Sequence, residues 1–542
     1  PGAIRQRGPR ATGAEAHLTG LWDDQVRTTT RAAFVATGRP YARDTFERVA
    51  GALDERVAAW IAMRRDACEA TRVRADQPEA VMDLRMRCLD RQLGELGALT
   101  ALFAAQPDAD LVDRAVQAAL ALPSVAQCAD AEALTAAYPL PSDPAVRSEI
   151  EALLTRLDGI SALGLAGKYA DGLAMAVALT DEAARLGWPP LHAQAQYRLG
   201  KLQSQTGDAA TSAATYQHTM KVAAEAHDDV LLLRAGTARV LLLGYHLGRP
   251  NEALKLAAIL DPLVTQAGEK PAARAELENA IGTVLWSRGA YAEAETSFTR
   301  ALPLFVQAFG PDDEQVAMAH ANLGNVLADE GRAEEATQHY QVGLQIMERL
   351  VGAQHPRLAA KRYNLGTVLL DQGKYAEAQA SIEDALAVFE ASLGPDHATV
   401  ASVLTDLARL HGTRGDHQRA LSYSQRALAI AIAKSPPDHP LQGYTRLHLG
   451  LALLGLGRPA EAIEPLERAR TVLEHAAGDP VPIANVQLAL ARALWDAAGD
   501  RARARGLAQS ARVTYAAAGD RKRNELADAD AWLAAHGQPG AR

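Results

Sequence analysis

The sequence predicts an all-α protein, an N-terminal helical bundle followed by a right-handed superhelix of stacked helix pairs (an α-solenoid). Three observations carry this expectation. Gly289, Gly331, Gly373, Gly415, Gly457 and Gly499 recur every 42 residues, and Gly248, Gly207 and Gly167 continue the series at spacings of 41, 41 and 40. The same pattern returns around each glycine, as in Ala321-Asn-Leu-Gly-Asn-Val-Leu-Ala-Asp-Glu-Gly-Arg and Tyr363-Asn-Leu-Gly-Thr-Val-Leu-Leu-Asp-Gln-Gly-Lys. Self-similarity at a fixed period of this size marks a stacked repeat. Aromatic residues are only 5% of the chain, as suits helices that pack closely through small residues.

The elements follow in order. Residues 1–12 are rich in Gly, Pro and Arg and read as a disordered tail. A bundle is expected over 13–138. Its first helix runs from about Gly13 to Phe34 with Leu18, Leu21, Trp22 and Val26 on one face. After the Gly38-Arg-Pro break, a long helix over about 43–72 carries Val49, Leu53, Val57, Trp60 and Met63. A third spans about 77–105 with Met82, Leu84, Leu89, Leu93 and Leu96, and a shorter one covers Val112 to Leu122. Connections this short favour antiparallel neighbours. Pro139-Leu-Pro-Ser-Asp-Pro-Ala opens a linker over 139–149, with Asp143-Pro starting the first repeat helix. About nine repeats fill 150–518, and a capping helix over roughly 520–536 lies within the closing segment 519–542.

One repeat reads as two amphipathic helices. Leu323, Val326 and Leu327 share a face of the first, and Gly324 or Gly366 leaves room for a neighbouring helix. Gly331 or Gly373 ends that helix, because the turn favours a residue without a Cβ. The second helix carries Ala336 and Tyr340, or Ala378 and Ile382, on one face. Neither helix can bury its apolar face alone, so the units must stack. An acid-tipped loop follows: Gly310-Pro-Asp-Asp, Gly352-Ala-Gln-His-Pro, Gly394-Pro-Asp-His, Ser435-Pro-Pro-Asp-His-Pro and Gly478-Asp-Pro.

This unit resembles the tetratricopeptide repeat. Its length, the Asn-Leu-Gly step and the Gly-x-Asp-His-Pro-like loop resemble the kinesin light chain class of that repeat. The resemblance covers roughly 150–518 and is sharpest over about 272–477.

Composition excludes several functions. A net charge of −9 and a pI near 6.0 give no general reason to expect nucleic acid. The clusters Arg501–Arg505 and Arg521–Arg523 are short and read as solvated helix faces. No window approaches the apolar length of a membrane span, and Pro1–Arg10 lacks the apolar core of a signal peptide. A chain that begins with Pro reads as a fragment or processed product. The three cysteines, Cys68, Cys88 and Cys128, form no C-x-x-C. They read as buried small apolar residues, with a disulfide as the alternative if the region is exported.

No chemistry of a catalytic or cofactor site is legible, and no cofactor is expected. Gly167-Lys168 resembles the tail of a phosphate-binding loop, but position 162 is Ala and Tyr169 follows the lysine. Asp108-Ala-Asp110 is too short for a calcium loop and reads as a helix cap. His355, His397 and His439 recur in the loops, yet packed helices lie about 8–10 Å apart, too far for successive repeats to share an ion. They read as loop residues, and no metal is expected.

A second resemblance spans essentially the whole chain. Ala32-Ala-Phe-Val-Ala-Thr-Gly-Arg-Pro-Tyr, Ala67-Cys-Glu-Ala-Thr-Arg-Val, Leu84-Arg-Met-Arg-Cys-Leu-Asp-Arg and Gln127-Cys-Ala-Asp precede the repeats. Together they resemble the C-terminal half of large bacterial serine/threonine protein kinases, especially the myxobacterial kind. In that family a kinase domain, often with a membrane helix, comes first. The resemblance then implies signal transduction and an extracytoplasmic location, with a cytoplasmic one for an unattached protein. Arg5, Arg7 and Arg10 just after a membrane helix would favour the inner side. The kinase motifs themselves are absent: no Gly-rich loop with its V-A-I-K lysine, no H-R-D and no D-F-G. No phosphoryl transfer is therefore expected of this chain. A stand-alone adaptor is the alternative.

What remains is a surface. The first helix of each pair is expected to line a concave groove that takes a protein or peptide ligand. The residues flanking the Leu-Gly step are Asn279, Asn322, Asn325, Tyr363, Asn364, Thr367, Thr405, Asp406, Arg409, Tyr444 and His448. Asn offers donor and acceptor together, as an extended backbone requires. Tyr and Arg are frequent interface anchors, and Arg409 would select an acidic residue. The kinesin light chain resemblance implies a groove role for Asn322 and Asn364.

Overall fold

The computed structural model describes residues 13–105, 107–136, 138–268, 270–475 and 480–536. The expected tail 1–12 and the tip of the loop at Gly478 lie outside the described residues. Helices are the only regular structure among the described residues. The chain divides into two compact units, Pro1–His355 and Pro356–Arg542.

The first unit opens with α1 (Asp24–Ala36), α2 (Ala42–Arg72), α3 (Glu79–Ala104), α4 (Ala109–Leu120) and α5 (Ala131–Ala136). The continuous helix expected from Gly13 is broken: Gly20 adopts φ +76°, and the Asp23 carboxylate caps α1 by accepting from the Val26 N–H at 2.9 Å. A short 3-10 turn, Glu15–Leu18, stands before that break. Asp108 caps α4 in the same way, through the Leu111 N–H.

The bundle core is aromatic. Phe34 meets Phe103 edge to face at 5.5 Å, and the buried Trp60 donates through Nε1 to the Leu89 carbonyl at 2.8 Å. Cys88 and Cys128 form a disulfide that ties α3 to the turn Val125–Ala129, leaving Cys68 free. The buried Arg85 donates to the Cys128 carbonyl at 3.1 Å and pairs with Asp66 at 2.7 Å.

The helix pairs of this unit are α6 (Pro144–Leu165) with α7 (Tyr169–Leu186), α8 (Pro189–Gln205) with α9 (Ala209–Glu225), α10 (Asp229–Leu241) with α11 (Pro250–Gln266), α12 (Pro271–Ser287) with α13 (Tyr291–Phe309), and α14 (Glu314–Asp329) with α15 (Ala333–Val351). The bundle rests on both ends of this series. Arg91 of α3 lies 2.8 Å from Asp158 of α6, and Arg48 of α2 donates to the Arg349 carbonyl of α15 at 2.5 Å. The His355 ring, expected in an open loop, is instead buried 5.2 Å from Tyr41. A π turn over Leu242–His246 extends α10, a departure the repeat pattern did not announce.

The second unit holds α16 (Pro356–Asp371) with α17 (Tyr375–Leu393), α18 (Ala398–Thr413) with α19 (His417–Lys434), α20 (Pro440–Gly455) with α21 (Pro459–His475), α22 (Val481–Asp496) with α23 (Arg501–Ala517), and the closing α24 (Arg523–Ala535).

Three local devices recur along the pairs. At the Leu-Gly step a Cβ on Gly366 would stand 2.6 Å from Ile382 Cγ1, so only glycine lets the two helices meet. At the turn, Gly331 takes φ +79° while the Gly331 and Arg332 N–H groups bond back to Ala328 and Leu327. At the next helix start, Asp313 accepts from the Gln315 N–H at 2.8 Å, and His397 and His439 do so through Nδ1 at 3.2 Å. The recurrent loop histidines His397 and His439 are therefore helix caps.

The ninth turn departs from the glycine series. There Ala498, not Gly499, holds the left-handed conformation at φ +56°, with its N–H bonded to Trp495 and that of Gly499 to Leu494. The motif is intact but shifted by one residue.

Candidate functional site

A cavity of about 550 Å³ opens in the second unit between the first helices of its pairs. Tyr363 comes from α16, Ser402, Thr405, Asp406 and Arg409 from α18, Tyr444 and His448 from α20, and Asn485 and Arg492 from α22. Leu441, Leu447, Pro482, Leu488 and Ala489 supply an apolar floor with Leu451 at its edge, while Tyr515 of α23 and Glu525 and Asp528 of α24 close one end. The side chains converge because each sits at a similar height on its helix, and the pairs stack with those faces inward.

The polar groups are largely tied to one another. Tyr363 donates to Asp406 at 2.5 Å, and Arg409 donates to Asp406 at 3.1 Å and to Asp371 of α16 at 2.6 Å. Burial, then the Asp406 carboxylate, hold the Tyr363 phenol above its ordinary range. Against the cost of its own burial, Asp406 and Asp371 keep Arg409 more firmly protonated. Arg409 is thus already neutralised by this chain, and the expectation that it selects an acidic ligand residue is corrected. Burial, with Arg409 as the smaller cause, pushes the His448 imidazole down to about 4, so it is neutral near pH 7. At the far end Arg492 donates to both Asp528 oxygens at 2.7 and 2.6 Å, and Tyr515 donates to Asn485 at 2.8 Å.

Tyr444 stands apart: it is 39% exposed, and its hydroxyl bonds to none of the described residues. With Leu451, equally exposed, it presents an aromatic and an aliphatic surface beside the apolar floor. Thr405 is buried, 3.0 Å from the Thr445 hydroxyl, and serves the packing of α18 on α20.

The remaining expected residues lie elsewhere. Asn364 and Thr367 are on α16 but do not line the cavity, and the Thr367 hydroxyl is spent on the Asn364 carbonyl at 2.8 Å. Asn279, Asn322 and Asn325 belong to the first unit. There Asn322 donates to Asn279 at 2.8 Å, and Asn325 accepts from Tyr340 at 2.7 Å, so both amides work within the stack.

Sequence reasoning missed Arg492. Counted from Gly499 it falls off the Arg409 position; counted from Ala498, the residue that actually turns, it falls on it. Glu525 and Asp528 carried no such signal, because α24 lies outside the repeat.

The assembled groups suit reversible recognition: an apolar floor, neutral hydrogen-bonding groups and internally paired charges. Among the described residues no group of three or more His, Cys, Asp or Glu could hold a metal ion, and no helix is long and apolar enough to cross a membrane.

Tetratricopeptide repeat models match residues 273–349, 357–433 and 405–482. No curated protein matches the chain. Among solved structures the chain is similar to BtubC (BKLC) from P. vanneervenii, at 22% identity over 42% of this chain and 91% of that one, with a TM-score of 0.36. It is similar to nearly identical repeats of kinesin light chain type from Podosopora anserina, at 19% identity over 38% and 98%, TM-score 0.34. It is also similar to the apo quorum sensor NprR from B. thuringiensis, at 14% identity over 68% and 98%, TM-score 0.49. These likenesses concern fold alone.

Proposed function

We propose that the chain is a protein-recognition module whose second unit takes a peptide segment of a partner in the cavity between α16, α18, α20 and α22. One observation carries this reading: the exposed Tyr444 and Leu451 flank an apolar floor whose neighbouring charges are already paired within the chain. Such a surface contributes through apolar anchoring and neutral hydrogen bonds rather than through a strong field. The test is selection of binding peptides on the intact chain, followed by titration against Tyr444→Ala and Leu451→Glu. Affinity should fall about tenfold or more with melting curves unchanged, since both side chains face solvent. Unaltered affinity in both variants would remove the groove from the function.

The finer proposal is that this module is the non-catalytic, sensory or scaffolding half of a bacterial serine/threonine kinase. The Cys-Glu-Ala-Thr and Leu-Arg-Met-x-Cys-Leu strings ahead of the repeats support it. With it goes the division into a bundle over 13–138, a linker over 139–149, repeats over 150–518 and a capping segment over 519–542. Gene sequence upstream of Pro1 decides between this and a free-standing adaptor: a kinase motif set supports the first, an immediate start codon the second.

A further inference from the structure

The stretch that follows the disulfide crosses the starts of three successive helix pairs. Cys128 is wholly buried, whereas no described side chain from Ala129 to Leu140 is. This strap passes through α5, which packs on α3 but leaves Glu132 and Thr135 exposed. It reaches the helix pairs by three contacts. Asp130 stands 3.8 Å from Lys270, the N-cap residue of α12. The Tyr138 ring stacks at 6.4 Å on His227, in the turn before α10. The Pro139 carbonyl accepts from Trp188 Nε1 at 3.1 Å, at the N-cap of α8. Followed along the chain, these contacts step from the fourth pair to the third and then the second.

A segment with so little buried surface opens at low cost unless its ends are fixed. The far end of the strap runs into α6 at Pro144. The near end is fixed at Cys128, which the disulfide joins to Cys88 of α3. Stacked repeats communicate mainly with their nearest neighbours, but this strap touches three pairs at once. Its attachment therefore governs whether those pairs open separately or together. The two half-cystines differ in access: Cys88 is partly exposed and Cys128 is not. An incoming thiolate meets Cys88 first.

We propose that the Cys88–Cys128 bond is a redox-sensitive latch on the first unit. While it is intact, the strap ties the bundle to the starts of α8, α10 and α12. Once it is reduced, the strap leaves them and the three pairs loosen. The reductant is a dithiol. One of its thiolates attacks the Cys88 sulfur, forming a mixed disulfide and displacing the Cys128 thiolate, which takes up a proton. The second thiolate of the reductant then attacks its own partner sulfur in that mixed disulfide. The reductant closes into a cyclic disulfide, and Cys88 leaves as a thiolate that is protonated in turn. Two electrons and two protons pass to the chain. The coupling is reciprocal: whatever factor the bond adds to docking of the strap, docking adds to the bond. This device lies within the first unit and does not rest on the reading of the second.

The test is hydrogen exchange on the full chain, oxidised and after reduction by dithiothreitol, at a temperature where the reduced chain remains folded. Reduction should speed exchange in α5 and in the N-terminal halves of α8, α10 and α12 by about tenfold, and leave the second unit unchanged. A second arm keeps the disulfide and removes the contacts instead, with Trp188→Phe and Lys270→Gln combined. The oxidised variant should exchange faster at the same helix starts. In buffers of reduced and oxidised dithiothreitol it should also reach half-reduction at a ratio about tenfold less reducing than the native chain needs. Exchange at α8, α10 and α12 that ignores reduction, a rise shared equally by the second unit, or an unmoved half-reduction ratio in the variant would each overturn the latch.

Discussion

The Asn322 amide donates through Nδ2 to the Asn279 side-chain carbonyl at 2.8 Å, joining α14 to α12 across one repeat. The bond is part-buried, so its loss leaves the Asn279 acceptor without its partner. Asn322→Ala should lower stability by about 1 kcal/mol, read as a shift in the denaturant midpoint. A purely ligand-facing asparagine would leave that midpoint in place.

Gly366 is the contact point between α16 and α17. Gly366→Asp would press a carboxylate into Ile382, Ser381 and the Ala378 carbonyl, costing several kcal/mol, about 3 or more. Gly366→Ala should be milder and should couple to Ile382→Ala, since removing the Ile382 side chain makes room for the new methyl group. A double-mutant cycle in urea measures this; strictly additive losses would contradict the contact.

Ala498 occupies a left-handed turn at φ +56° that glycine fills in the preceding repeats. Ala498→Gly should therefore stabilise the ninth pair by roughly 1 kcal/mol, the reverse of the usual effect of introducing glycine. Thermal unfolding that moves downward in this variant would argue against the assignment of the turn.

The Cys88–Cys128 disulfide closes a loop of 40 residues across the bundle. On the chain-entropy account its removal costs about 4 kcal/mol. Cys88→Ser, or reduction of the native protein, should unfold the bundle at lower temperature, and an unshifted melting curve would mean the bond does not form in solution.

Asp158 supplies a pH dependence to the seat of the bundle on α6. Burial pushes its carboxyl up to about 7, opposed by Arg91 and reinforced by Glu95. A carboxyl whose folded value lies above its unfolded one binds more protons in the folded state, so stability falls as pH rises from about 4 to about 7. Asp158→Asn should flatten that slope in melting curves taken across this range. A slope that persists in the variant would place the titrating group elsewhere.

The helix pairs were legible because their signals are local. Gly324, Gly331 and Tyr340 lie within seventeen consecutive residues, close enough for a count along the chain to find them. The break at Gly20 was missed because a short apolar run of Leu18, Leu21 and Trp22 fits a helix and a turn equally well. The cavity of the second unit was partly legible: Tyr363, Asp406, Arg409, Tyr444 and His448 stand beside it, whereas Asn364 and Thr367, chosen by the same rule, do not. Flanking the Leu-Gly step fixes a position along a helix but not which way the side chain leans.

By itself the sequence determined the repeat: its period, its glycine turns and the all-α class they impose. These are set by backbone conformation and by contacts within one helix pair. Only the tertiary structure decided which amide meets which, as in Asn322 with Asn279, and which cations are neutralised. Arg409 and Arg492 find carboxylates, while Arg198, Lys201 and Arg234 find none. The physical reason is that these partners come from helices brought side by side by stacking, and a shift of a single residue, as at Ala498, moves a side chain onto or off the shared face.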